Sequence, residues 1–471
     1  MKIKLKKFTA ISKSILPNEA HYLTKIANFQ DAEKNEIFNR VIENATSQNT
    51  FKTFDESIDK RKYNYIKTWI TKKLELIDVD RTTEWVMRYK MNILTDTITS
   101  QEEHHLLNYL ASFKDLEYNF QNLFELALEY RSYLLIRMRY KDHNIVNQFI
   151  DNFAIAYEKS KKITHKLYIA TTEITKQYSN YTNETKYWEK WLSKVFNTQS
   201  IDGKNRYQAF ILMAFMYTNY NDHARLKKIF DEIDHYFSNG EMYSRRLLCN
   251  YYASRLLLHS KINELDRAEY FGLLSIRQDN DDTLLYVNNL IGILIKNHKH
   301  KQAFELLERF RKLYESTHNY HQKTSYISYN IRLLAHNNQL LQAENIGRHF
   351  LKKHDVEILK HRWHHFFTSY FNVLLAKEKY YDIITLFSKY NLEEKELERS
   401  KKRNYIPNLS WSHALAKYME GKINDAKLYT ELKATLSKVT LSKEQQKLIL
   451  ETIEKYTEIA PEIFTKLKSE F

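Results

Sequence analysis

A small or apolar anchor returns about every forty residues through the second half of this chain. At Ala303 it is followed by Leu306, Leu307 and Phe310, the i, i+3, i+4, i+7 stripe of an amphipathic helix. Ala268 with Phe271, Ala343 with Ile346 and Phe350, Ile383 with Leu386, Phe387 and Tyr390, and Ala426 with Tyr429 repeat the device, and Leu226 with Ile229, Phe230 and Ile233 is an earlier, larger version. The anchors 226, 268, 303, 343, 383 and 426 stand 42, 35, 40, 40 and 43 residues apart. Two short helices per period cannot bury their apolar faces alone, so such units stack. The expected fold is all-α, an α-solenoid of antiparallel helix pairs.

Composition supports the same class. The 471 residues include 6 glycines and 3 prolines, against averages of roughly 7% and 5% in globular chains. Hairpins and βα turns need those residues, whereas helix pairs tolerate their absence. The six glycines are isolated in sequence, so no Gly-rich phosphate loop and no nucleophile elbow is present. No cofactor is expected, and the chain reads as a non-enzyme. The formal charge is +15 with a pI near 9.3. That balance fits either an acidic partner such as nucleic acid or compositional drift, since Lys, Asn, Ile and Tyr are abundant together. The single cysteine, Cys249, shares a helical face with Tyr252, Ala253 and Leu256 and reads as a core residue in a reducing compartment. With no apolar run of about 20 residues, a cytoplasmic location without membrane insertion is expected.

The chain divides in this reading into an irregular helical region over 1–196, a helix-pair array over 205–433, and a capping helix with a tail over 434–471. The loop Asn197–Lys204 is the expected boundary. Ser100 and Glu103 read as a capping box, and Asn391–Asn404 as a charged connector.

Trp411, Ala414, Leu415 and Tyr418, followed by Gly421 and Ala426, resemble the tetratricopeptide-type repeat, with one residue missing before the turn. Trp363, Phe367, Tyr370, Phe371 and Leu374 offer a similar first-helix face. The period is nearer 40 than the family's 34, and Gly292 stands one position out of its register. The resemblance covers 205–433 and implies a right-handed superhelix whose first helices line a concave surface that binds a protein or peptide.

Four asparagines, Asn250, Asn289, Asn330 and Asn372, recur at 39, 41 and 42 residues on the expected first helices. Each amide offers a donor and an acceptor, the pair an extended peptide backbone requires. Arg255, Tyr286, Tyr329 and Arg332 lie close to them in sequence and complete a candidate peptide-binding set for a scaffold or adaptor. The alternative is nucleic-acid binding through the basic N-terminal half, where Lys60, Arg61, Lys62, Lys67, Lys72, Lys73, Arg137 and Arg139 are interleaved with aromatics; cations meet phosphate while rings stack on bases. Arg137 and His143 are also spaced like the Arg–His pair of HEPN-type ribonucleases, a remoter alternative. His361 and His365 have an i, i+4 spacing that can chelate a metal, but no HExxH is present and no cysteine or obvious third ligand accompanies them, so no metal is expected.

Overall fold

The computed structural model describes residues 5–47, 51–180, 184–278, 280–400, 405–436 and 443–469. Among them every regular element is helical. The chain forms two compact units, Met1–Asn280 and Asp281–Phe471.

The first unit contains α1 (Lys6–Ser14), α2 (Pro17–Ile26), α3 (Ala32–Thr46), α4 (Lys60–Ile77), α5 (Val79–Leu94), α6 (Ser100–Ser112), α7 (Phe120–Ile136), α8 (Tyr140–Asn180), α9 (Glu189–Asn197), α10 (Gly203–Asn219), α11 (His223–Ser238), α12 (Arg245–Lys261) and α13 (Leu265–Ser275). The second contains α14 (Thr283–Lys296), α15 (His300–Arg309), α16 (Arg311–Ser316), α17 (Tyr320–His336), α18 (Leu340–His361), α19 (Trp363–Ala376), α20 (Tyr380–Lys389), α21 (Leu392–Ser400), α22 (Asn408–Met419), α23 (Asp425–Leu436), α24 (Lys443–Thr457) and α25 (Pro461–Lys468).

The forty-residue period has a local cause. Asn221, Asn263, His298, Asn338, Glu378 and Gly421 all have positive φ, and each stands five residues before an anchor. At each, the chain closes a helix with paired reverse hydrogen bonds. After α14, Lys299 N donates to Leu294 O at 2.8 Å and His298 N to Ile295 O at 3.1 Å; after α17, Gln339 N donates to Leu334 O at 2.9 Å. This Schellman closure satisfies carbonyls that would otherwise be orphaned. Glycine usually takes the left-handed position, but asparagine tolerates it, which is how a chain with so few glycines turns so often. The same turn occurs at Asp96 and Met138. These are 42 residues apart and in step with the later series. The periodic pattern therefore begins near residue 79. It is hidden over 140–180 because the helix that returns from the Met138 turn runs straight on into the next outgoing helix, making α8 a single element of 41 residues.

In the first unit the N-terminal helices close onto its last ones. Asn18 Nδ2 donates to Asp234 Oδ1 at 3.1 Å and to Ser238 Oγ at 3.0 Å, while Tyr252 Oη donates back to Asn18 Oδ1 at 2.5 Å. Glu19, 1% exposed, accepts from Tyr243 Oη at 2.6 Å and Arg245 Nε at 2.8 Å. The Asn197–Lys204 loop lies inside this unit, where Asp202 and Asn205 join Ser160 and Thr164 of α8 in a buried polar network. In the second unit contacts run between successive helices: α14 against α17, α17 against α19, and α19 against α22.

Two local expectations are corrected. The capping box at α6 is made by Thr99 and Glu102, one residue earlier than Ser100 and Glu103, and Glu103 instead accepts from Tyr130 Oη at 3.1 Å. The charged connector is helical over Leu392–Ser400 and buries Leu392 and Glu396; its residues 401–404 lie outside the described residues, as do 437–442 of the C-terminal region. No described helix is long and apolar enough to cross a membrane.

Candidate functional site

Asn250, Asn289, Asn330 and Asn372 are half-buried, in mid-helix on α12, α14, α17 and α19. None of their amides has a hydrogen-bond partner among the described residues. Their neighbours behave differently. Asn288 is buried and donates to Gln322 O at 3.1 Å and Gln322 Oε1 at 3.0 Å, so one of two adjacent asparagines on α14 is structural and the other is left open. Arg255 is 7% exposed; its Nε donates to Tyr251 Oη at 3.0 Å and it pairs with Asp231 at 2.5 Å. Tyr286 is buried. Arg255 and Tyr286 are thus core residues, away from solvent.

Tyr329 and Arg332 occupy a different position, on the side of α17 that meets both neighbours. A Cβ at Gly292 of α14 would lie 2.7 Å from Tyr329 Oη, so glycine is what admits the phenol against that helix. On the other side the Tyr329 ring meets His365 edge-on at 4.8 Å, and Arg332 Nε donates to Ser369 Oγ at 2.8 Å. Asn289 and Gly292 share one face of α14, and His365, Thr368 and Asn372 share one face of α19, by their i, i+3 and i+4 spacings. A polar surface therefore runs from Asn289 through Tyr329 to Asn372 within the second unit.

It opens into a pocket of about 330 Å³ lined by Arg332, Arg362, His364, His365, Thr368 and Arg399 among others. Burial lowers Arg332 from its usual value and holds His365 well below the ordinary imidazole range, with Arg332 and Arg362 adding to the effect. Burial likewise depresses His364, followed by the charges of Arg399 and Arg332. Arg362 Nε donates to His321 Nε2 at 2.8 Å, and burial with that neighbouring charge takes His321 to about 4. Glu396, 3% exposed, accepts from Tyr405 Oη at 2.9 Å and Ser410 Oγ at 3.2 Å; burial nonetheless pushes its carboxyl up to about 7. The histidines expected at metal spacing thus sit in a cationic pocket, and no described group of three or more His, Cys, Asp or Glu is placed to hold a metal ion. Sequence reasoning missed Arg362, Thr368, Glu396 and Arg399. The signal was a charged residue on the inward face of its helix, as at Glu396.

In the first unit, Lys62 is taken up by Asp31 and Glu33 at 2.9 and 2.7 Å. Lys60, Arg61 and Lys72 are exposed and Lys67 and Lys73 half-exposed on α4. Arg137 pairs with Asp96 at 2.5 Å and lies 3.6 Å from the Tyr133 ring centroid. Arg139 bridges Glu103 and Asp142. His143 stands on the far side of the Met138 turn, in the first turn of α8. A second groove, of about 730 Å³, lies between α8 and α9 with Lys159, Lys162, Lys166 and Lys194 around Trp191. Lys166 Nζ sits 4.5 Å from that ring centroid. No protein-family model and no curated protein sequence matches the chain.

Proposed function

We propose that the chain is a tetratricopeptide-like helical-repeat protein that holds an extended protein or peptide segment along the polar surface of its second unit. The observation that carries this reading is the set of open amides at Asn289, Asn330 and Asn372. They are half-exposed, lack partners among the described residues, and sit one per repeat on helices that pack in succession. An amide left open in mid-helix meets a backbone C=O and N–H at once, so spaced amides grip a chain with little regard to its side chains. The right-handed superhelix belongs to this reading, as the packing expected of such repeats.

The test is fluorescence anisotropy with a labelled pool of random decapeptides against the full chain. Asn289→Ala, Asn330→Ala and Asn372→Ala together should weaken binding by roughly tenfold or more, at about 1 kcal/mol per hydrogen bond. Unchanged affinity in the triple variant would end the reading.

The Lys-and-Trp groove on α8 and α9 favours a second one, single-stranded nucleic acid bound by the first unit. Its affinity would fall steeply with salt as counterions are released, whereas amide contacts are nearly salt-independent. A labelled oligonucleotide titrated at two ionic strengths separates the two.

A further inference from the structure

We infer that the pocket at which α19 and α22 begin is a binding site for a phosphate-class oxyanion, either free inorganic phosphate or the phosphoryl group of a small monoester. The inference does not depend on the peptide reading.

The first support is an unbalanced cation. Arg332 has no ion pair among the described residues; its guanidinium donates to the Ser369 hydroxyl alone. A desolvated guanidinium is costly unless an anion meets it. Arg362 and Arg399 border the same space. Neither carboxylate nearby forms an ion pair with Arg332 among the described residues. Glu396 is engaged by Tyr405 and Ser410 and biased by burial toward its neutral form, and Glu357 lies 3.7 Å from His361.

The second support is a set of polar groups without partners. His365 Nδ1 and Thr368 Oγ1 are buried and make no hydrogen bond, although each residue lines the cavity. Burial keeps the imidazole neutral, and a neutral imidazole donates through one nitrogen and accepts through the other. His364 is outside this set: its ring donates to the Ile406 backbone, which leaves Nε2 of the neutral ring an acceptor, 3.5 Å from Glu396.

The third is a helix start. Trp363, the first residue of α19, lines the pocket and its N-cap residue makes no side-chain cap bond, whereas the first turn of α22 is already met by Glu396, which the Ser410 backbone N–H bonds. Uncapped first-turn N–H groups and the helix dipole favour an anion. These cations, hydroxyl and backbone end come from α17, the α18–α19 turn, α19 and α21. A tetrahedral oxyanion offers acceptors in that many directions, whereas a carboxylate offers two in one plane.

The experiment is calorimetric titration of the full chain, at constant ionic strength, with inorganic phosphate, phenyl phosphate and acetate. Saturable binding of either phosphate is expected, and Arg332→Met should weaken it by at least about tenfold. Tighter binding of phenyl phosphate would assign the site to a monoester, and tighter binding of inorganic phosphate to the free ion. The inference is overturned if neither phosphate saturates, if acetate binds as well, or if Arg332→Met binds like the parent. Should Arg332→Met not fold, Thr368→Val, which keeps the shape and removes one hydroxyl, must still weaken phosphate binding; an unchanged titration would be equally decisive against it.

Discussion

Two regions of the molecule, the closure of the first unit and the α17–α19 pocket of the second, bury ionisable groups in opposite ways, although the second unit also holds a buried, fully paired carboxylate at Glu344. In the first, burial comes with a partner: Glu19 with Arg245 and Tyr243, Asp231 with Arg255, Glu103 with Arg139. In the second, around the α17–α19 pocket, burial biases His365 and Glu396 toward their neutral forms, and Arg332 has no ion pair among the described residues. A desolvated pair repays its cost only while both members remain. An unpaired group has nothing to lose but its own desolvation penalty, and so is available to a ligand. The first pattern holds a fold closed; the second keeps a site open.

The largest expected effect tests the paired side. Glu19→Ala strands the Arg245 guanidinium and the Tyr243 hydroxyl in the core, and should cost about 3–5 kcal/mol of stability by urea denaturation. A loss under about 1 kcal/mol would mean that the pair behaves as a surface bridge and that the contrast is false.

Acid sharpens the contrast next. His321 and His413 are lowered to about 4, each chiefly by burial, and His364 and His365 are lowered as well. Below pH about 6.5, the ordinary imidazole value, the unfolded chain takes up protons that these folded groups refuse. Stability therefore falls as pH falls toward 4, by up to about 1.4 kcal/mol per pH unit for each group. Glu396 works in the other direction. Its raised folded value means that the folded state holds a proton that the unfolded state has released, so between about pH 4.5 and 7 its contribution rises on acidification. Glu396→Gln removes that offset and should steepen the acid loss. Amide hydrogen exchange at pH 7 and pH 5.5 reads this directly: protection should drop more in 281–471 than in 1–280, and an equal drop would break the comparison.

The smallest effect concerns the turns that both units share. Glu378 holds a left-handed conformation that costs a non-glycine residue roughly 1–2 kcal/mol, partly returned by the lower entropy of its unfolded chain. Glu378→Gly should raise stability by a few tenths to about 1 kcal/mol, seen as a small increase in Tm; a decrease would show that the turn is not strained.

What was legible in the sequence follows from these same residues. The turn-to-anchor spacing is local, so the forty-residue period could be read from Leu226 onward. Before that, the fusion inside α8 removes a turn, and with it the residue types that punctuate a sequence. The closure by Asn18 and Glu19 joins positions more than 200 residues apart, and no pattern along the chain encodes it. Asn289, Asn330 and Asn372 were singled out by their spacing, and Tyr329 and Arg332 by their nearness to those asparagines in sequence. Arg255 and Arg332 looked alike in sequence, both arginines close to a periodic asparagine. Only folding separates them, because one meets Asp231 and the other meets no acid among the described residues.

The fused helix has a mechanical consequence. Pulled from its ends, a stack of helix hairpins is expected to yield one hairpin at a time, each releasing about 40 residues, or roughly 140 Å of chain. The 41 residues of α8 pack against both α7 and α10, so neither partner can be drawn out while α8 stays. In an optical trap that stretch should give way as a single step of about twice the usual length, at a higher force than its neighbours.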